Sequence, residues 1–257
     1  MRFGFRQQIL TAVLLLSASL VRADFRALTA QSAYISPETF QLSITSSALR
    51  RPGDEKLFSF PEFEVDYAVA QRVELSGQWG LLFLDRIGQK ALGGGGDVLL
   101  STKTALFAHP KNWAAAFRFA VKLPNAKAYK GLGTDEADIF YGLLVSERAG
   151  LFEFSQNFGM GILGDPGAGQ GQEDVYTYAT SANFKPSRFD FLAQFYGETN
   201  THPEYIFSHV AASAGYRTGK VGFVFSGLKS LTTKPKGYQN TLGADWGASL
   251  KIEWRPI

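Results

Sequence analysis

Residues 113–123 read WAAAFRFAVKL, and every second position, beginning with Trp113, carries an apolar side chain. The positions between them include Arg118 and Lys122. Successive side chains of a β-strand point to opposite faces, so this segment has one apolar face and one face that carries charge. An arginine between two phenylalanines in mid-strand is tolerated only if it points away from the apolar side. The stretch therefore predicts a strand that separates an apolar environment from a polar one.

The same alternation recurs along most of the remaining chain. A second strand, for example, sets Phe63 and Val65 against Glu62 and Glu64. Counted in this way, the period-two segments predict twelve strands, an even number. The predicted fold is all-β, a closed antiparallel transmembrane β-barrel of about 12 strands.

The connections between these strands alternate in length, as they do in outer-membrane barrels. The predicted short links are Ala70–Arg72, Ala108–Asn112, Arg148–Gly150, Lys185–Arg188 and Arg217–Lys220. The predicted long links lie near Ser46–Lys56, Asp85–Gly96, Pro124–Glu136, Gly164–Glu173, Thr199–Tyr205 and Lys229–Asn240. A soluble β-sandwich or a lipocalin-like barrel is the alternative, but its strands are usually about 5 to 6 residues long. Strict alternation favours the membrane barrel, with both termini at the short-turn end.

The first residues have the features of an export signal. Arg2 and Arg6 precede an apolar run over residues 9–20, and small residues stand at the usual cleavage positions before Asp24. A transmembrane anchor is the alternative, although the run is shorter than the roughly 20 residues that a spanning helix needs. We expect a signal peptide over residues 1–23, a periplasmic N-terminal segment or plug over 24–39, and the barrel over 40–257. An ordinary disordered terminus would explain the N-terminal segment equally well.

Charge and cysteine content exclude several classes of function. The sequence pI is about 9.0, but removal of residues 1–23 leaves 23 basic and 23 acidic side chains. The mature chain is therefore not basic, and we expect no nucleic-acid partner. The absence of cysteine excludes disulfides and thiolate metal sites.

Aromatic residues end several of the outward-facing rows on the short-turn side. Such residues form the interfacial girdles of membrane barrels, whereas ordinary β-propensity is the alternative explanation. The predicted girdle residues are Tyr67, Trp113, Phe184, Phe189, Tyr216 and Trp254.

From Gly93 onward, about two thirds of the chain resembles the outer-membrane barrel family named for the meta-pathway of phenol degradation. The motifs that carry the resemblance are Gly96-Asp97-Val98, Val121-Lys122-Leu123-Pro124, Lys130-Gly131-Leu132-Gly133-Thr134-Asp135, Gly164-Asp165-Pro166, Phe195-Tyr196-Gly197-Glu198 and Asp245-Trp246-Gly247-Ala248. The resemblance implies a barrel that passes aromatic or other hydrophobic small molecules across the outer membrane. The chain departs from many outer-membrane barrels by continuing with Arg255-Pro256-Ile257 after its last tryptophan.

Residue patterns typical of catalysis are weak in this sequence. The run Gly93–Gly96 lacks the lysine of a phosphate-binding loop. Ser208 and His209 point to opposite faces of one strand, and His209 and Ser213 are about 13 Å apart along it, too far for a hydrogen bond. We therefore expect no catalytic residue, no metal and no cofactor.

Charged and polar residues instead fall on the predicted inner face. Acidic residues cluster on the second and third strands and basic residues on the fourth and fifth, so an acidic wall lies beside a basic wall. The walls either create a field across a pore or form a salt-bridged network that fills the barrel. The candidate lumen-lining residues are Glu62, Glu64, Asp66, Glu74, Lys103, Arg118, Lys122, Asp190, Gln194, His209 and Asp245.

Together these features predict a monomeric channel or transporter in the cell outer membrane for small, hydrophobic or aromatic molecules. Its expected partners are outer-membrane lipid, the outer-membrane assembly machinery and a small-molecule solute. The alternatives are a barrel-type membrane esterase or phospholipase and a structural barrel that transports nothing.

Overall fold

The computed structural model describes residues 28–35, 39–51, 54–109, 112–164, 171–200, 206–232 and 244–256. The predicted signal peptide over residues 1–23 lies outside these ranges, as do residues 24–27 and 36–38 of the N-terminal segment. Among the described residues, no helix has the length and apolar character needed to cross a membrane.

Thirteen strand segments form one antiparallel sheet in the described part of the chain. Their bounds are β1 Phe40–Arg50, β2 Lys56–Ala70, β3 Val73–Asp85, β4 Leu92–Gly95, β5 Val98–Ala108, β6 Trp113–Leu123, β7 Asp138–Ala149, β8 Phe152–Leu163, β9 Glu173–Phe184, β10 Phe189–Thr199, β11 Ile206–Thr218, β12 Val221–Ser230 and β13 Trp246–Trp254. A single turn of 3-10 helix, Ala128–Lys130, lies between β6 and β7.

The sheet closes on itself. Strand β1 pairs with both β13 and β2, and β2 pairs with β3, so no strand at this seam is left as an edge. Strands β4 and β5 pair with successive parts of β3 and together occupy one position in the wall. The predicted closed antiparallel barrel of twelve strands is therefore confirmed.

The join between β4 and β5 is an irregularity of one residue. Leu81 pairs with Gly95, whereas Gln78 pairs with Leu99, so the register shifts by one position across the join. This shift is the geometry of a β-bulge. The predicted long link at 85–96 is thus partly strand. The predicted link at 46–56 is also shorter than expected, because β1 continues to Arg50.

A second bulge changes which side chains of β2 face inward. The pairing of β2 with β3 shifts register between Ser59 and Glu62. As a result Leu57 and Ser59 are buried together with Glu62 and Glu64, although strict alternation would place them on opposite faces.

The outer surface is apolar and carries the predicted aromatic residues at its short-turn end. Tyr67, Trp113 and Trp254 are each between 44% and 51% exposed. Phe184 stacks on its neighbours, with its ring centroid 4.8 Å from that of Phe152 and 6.4 Å from that of Phe191. Neighbouring rings therefore form clusters of aromatic contacts where the girdle is predicted.

Candidate functional site: the barrel interior

The barrel interior contains a cavity of about 700 Å³. Its walls come from the inner faces of β1–β3 and β10–β13, from Lys103 of β5 and Asn183 of β9, and from residues 29–32 and Tyr34 of the N-terminal segment. It reaches the short-turn end, where Ser187, Arg188 and Arg255 line it. The cavity is thus a space with many polar lining residues that extends to the short-turn end of the barrel.

The acidic residues of β2 and β3 line this cavity, each with its own partner. Glu62 accepts hydrogen bonds from Gln78 and from Ser59, the latter at 3.2 Å. Because these partners are neutral, they place no opposing charge beside the carboxylate of Glu62.

Lysines contact two other carboxylates of the same wall. Lys103 Nζ lies 2.9 Å from Glu74 Oε1, and Lys251 Nζ lies 3.5 Å from Glu64 Oε2. The sequence analysis gave a salt-bridged network as one of two alternatives for the charged walls. These two contacts are of that kind.

A second group of charges surrounds the short-turn mouth of the cavity. The Glu253 carboxylate lies 3.2 Å from Arg217, 3.4 Å from Arg255 and 3.7 Å from Lys251. One carboxylate therefore contacts three cations at this rim.

The other predicted lumen residues lie in three different places. Asp66, Asp190 and Gln194 line the cavity. Arg118 is buried beside Leu28 and borders a small separate space along β7–β9.

Three predicted lumen residues lie nearer the long-loop end, outside the cavity lining. Lys122 is buried and ion-paired with Asp138. His209 is 1% exposed and stacks on Tyr196, with ring centroids 5.4 Å apart. Asp245 precedes β13, and its backbone bonds to Arg50 and Ser230. The structure therefore does not bring all eleven predicted residues together around one cavity.

The described part of the N-terminal segment, residues 28–35, lies inside the barrel. Ala33 N donates a 2.8 Å hydrogen bond to Ser146 Oγ on β7, and Lys103 Nζ donates to Ser32 O at 3.3 Å. The guanidinium of Arg148 lies 3.6 Å from the centre of the Tyr34 ring, a cation–π contact. The segment is thus fixed to the wall formed by β5–β8.

Small residues of β6 make room for this segment. Ala33 packs with Ala114, Ala116 and Leu144, and all four are at most 1% exposed. Larger side chains at the two β6 positions would occupy the space that the segment fills. Ala114 and Ala116 of β6 therefore provide a surface on which the N-terminal segment docks.

Apolar side chains form a layer in the long-loop half of the interior, where the charged side chains of Asp97, Lys122, Asp138 and Glu198 are also buried. We call this apolar cluster the apolar layer. It is a continuous buried cluster that includes Leu49, Leu57, Leu82, Leu84, Leu132 and Phe140. Tyr196 belongs both to this layer and to the cavity lining. A polar cavity thus ends against an apolar barrier along the barrel axis.

The geometry offers little to a catalytic interpretation. Ser208 Oγ is 2.7 Å from the Tyr178 hydroxyl, while the ring of the adjacent His209 stacks on Tyr196 on the inner face. In the described ranges no group of three or more His, Cys, Asp or Glu side chains could hold a metal ion.

Several lining residues were absent from the predicted set. Gln78, Lys251 and Glu253 were detectable, because alternation places each on the inner face. Thr29 and Gln31 of the N-terminal segment gave no such signal, because a short polar stretch has no period that indicates where it docks.

Comparison with known proteins gives matches among solved structures only. No protein-family model matches the chain, and no curated protein matches it. The COG4313 outer membrane channel from Pseudomonas putida F1 is 12% identical, with a TM-score of 0.65 over 86% of this chain and 96% of that chain. The NanC porin is 10% identical, with a TM-score of 0.57 over 82% of this chain and 97% of that chain. The chain therefore has the fold of outer-membrane channels.

Proposed function

We propose that this protein is an outer-membrane channel for small hydrophobic or aromatic molecules. The observation that carries the proposal is a closed barrel with an apolar outer surface and a polar cavity that ends against the apolar layer. A closed barrel with such a surface satisfies the conditions for spanning a bilayer with strands. The structural likeness to two outer-membrane channels supports the same function.

The apolar layer favours uncharged cargo. An ion that passes between these apolar side chains loses hydration that they do not replace, whereas a small aromatic molecule loses little. The interior therefore supports passage of neutral apolar molecules over that of salts. The resemblance to the phenol-degradation barrels agrees with this cargo but identifies no single compound.

The N-terminal segment acts in this proposal as a plug. It occupies the β5–β8 side of the interior and leaves the cavity on the opposite side. The described part of the segment belongs to no strand of the sheet, so its removal would widen the interior without disturbing the strand ladder.

The function is tested by uptake and conductance measured together. Cells that produce the protein should take up a neutral naphthylamine dye faster than cells that lack it, because lipopolysaccharide slows such dyes. Planar bilayers containing the pure protein should show only a small ion current. If neither uptake nor current differs from the control, the barrel is structural. Ester hydrolysis by the pure protein in detergent would instead indicate the membrane esterase.

Orientation is predicted separately, because short turns of such barrels face the periplasm. The chain has no cysteine, so single cysteines are clean reporters. Cysteine at Ile87 or Tyr129, both at the long-loop end and more than 75% exposed, should react with a membrane-impermeant maleimide on whole cells. Cysteine at Thr218 or Lys220 should react only after cell lysis. The reverse pattern would show that the barrel is inverted.

A further inference from the structure

The link between β6 and β7, residues 124–137, folds into the barrel mouth. Leu132 is 0% exposed and Ala126 is 1% exposed, although both lie between strands at the long-loop end. Leu132 belongs to the apolar layer, whereas Tyr129 of the same link is 79% exposed. Two apolar side chains of this link, the small Ala126 and the larger Leu132, are therefore inserted into the interior.

The glycines of β4 create the space for that side chain. A Cβ at Gly94 would lie 3.1 Å from Leu132 Cδ1, closer than side chains normally approach. Gly131 has a φ of 69°, a left-handed conformation that glycine adopts without strain, and it follows the 3-10 turn. The run of glycines and the turn glycine thus allow Leu132 to reach the layer.

Polar contacts hold the link at its beginning. Asp97 Oδ1 accepts hydrogen bonds from Asn125 N at 2.9 Å and from Ala126 N at 2.8 Å. Lys130 Nζ donates to Gly93 O at 2.9 Å, which ties the turn to β4.

Lys122 connects the end of the link to the barrel wall. Its Nζ ion-pairs with Asp138 and donates to Thr134 Oγ1 at 3.3 Å. Gly164 N also donates to Asp138 Oδ1, at 2.9 Å. The same carboxylate therefore also binds the start of the long link between β8 and β9. The backbone on both sides of Leu132 is therefore fixed by hydrogen bonds and charge, while only an apolar side chain enters the layer.

We infer that Leu132 is the seal of the long-loop mouth and determines which solutes pass it. The inference rests on the proposed channel function and adds a residue and a selectivity to it. An apolar constriction excludes water and ions by dewetting, and it opens to a neutral aromatic molecule when the leucine side chain moves aside. The hydrogen bonds of Asp97 and Lys130 and the ion pair of Lys122 then return the link to its closed position.

Substitution of the side chain tests the seal directly. Leu132→Ser should raise single-channel ion conductance in planar bilayers several-fold, because a hydroxyl lets water and ions enter the layer. Tyr129→Ser is the matched control on the same link and should leave conductance at the parent level. Equal conductance of the parent and Leu132→Ser, with both barrels shown to be folded by their heat-dependent gel mobility, would overturn the inference.

A reversible crosslink tests whether the side chain must move. In a chain without other cysteines, the double variant Gly94→Cys and Leu132→Cys should form a disulfide that locks the link to β4. Dye uptake by cells carrying it should be low after oxidation and recover on reduction, whereas either single variant should not respond to reductant. Uptake that is unchanged by oxidation, once the disulfide is verified by mass spectrometry, contradicts the inference. Failure of the channel proposal would look different, because the parent would then take up no dye while Leu132→Ser still conducts ions.

Discussion

Replacement of Phe117 with arginine is expected to abolish accumulation of the folded barrel in the outer membrane. Phe117 lies near the middle of β6 on the outward face, so the new charge would lie near the bilayer centre. An arginine at that depth costs roughly 2 to 4 kcal/mol on the lipid face of a barrel. The amount of protein that changes gel mobility on boiling measures the folded fraction.

The matched control places the same charge on the inner face. Ser226 lies near the middle of β12 and lines the polar cavity, where an arginine can remain hydrated. Ser226→Arg should therefore accumulate at close to the parent level. Equal accumulation of both variants would mean that the assigned faces of the barrel are wrong.

Deletion of residues 28–35 is expected to increase single-channel conductance several-fold. The segment fills the β5–β8 side of the interior, and Leu28 also contributes to the buried apolar cluster. Its removal frees that volume and takes Leu28 out of the apolar layer that limits the ion current, while every strand of the barrel remains. Conductance of the purified variant in planar bilayers measures the effect.

A point variant distinguishes the effect of the volume that the segment occupies from the effect of one of its hydrogen bonds. Ser146→Ala removes the hydroxyl that accepts the hydrogen bond from Ala33 and should change conductance far less than the deletion. A deletion variant with parent conductance would show that the segment does not obstruct the pore.

Much of the fold was predictable because lipid and lumen impose opposite chemistry on alternate residues. Phe117 beside Arg118 in the decisive stretch already indicated which face is which, and both side chains lie as predicted. The number of strands and the alternating link lengths follow from the same pattern repeated along the chain. Local periodicity was sufficient because each strand of a barrel meets the same two environments.

The remaining features depend on contacts that periodicity does not encode. The bulge before Glu62 brings Leu57 and Ser59 to the inner face, and it shows only in the pairing of β2 with its two neighbours, β1 and β3. The acidic and basic walls were detectable from the sequence. The ion pair between Glu64 and Lys251, however, forms only because β1 pairs with both β2 and β13 where the barrel closes. Leu132 lay in the long link predicted near Pro124–Glu136, where no alternation indicates which side chain turns inward.

The docking of Ala33 on Ser146 also bears on the order in which the molecule folds. The two residues are 113 positions apart in the chain. In an unpaired chain, bringing them together would close a long loop at a large cost in conformational entropy for a single hydrogen bond. Once β1 to β8 are in register, the sheet already holds both residues close, and most of that entropy has been lost to strand pairing. We therefore expect the N-terminal segment to order last, on a wall that has already formed, and its deletion to leave the rate of barrel assembly unchanged.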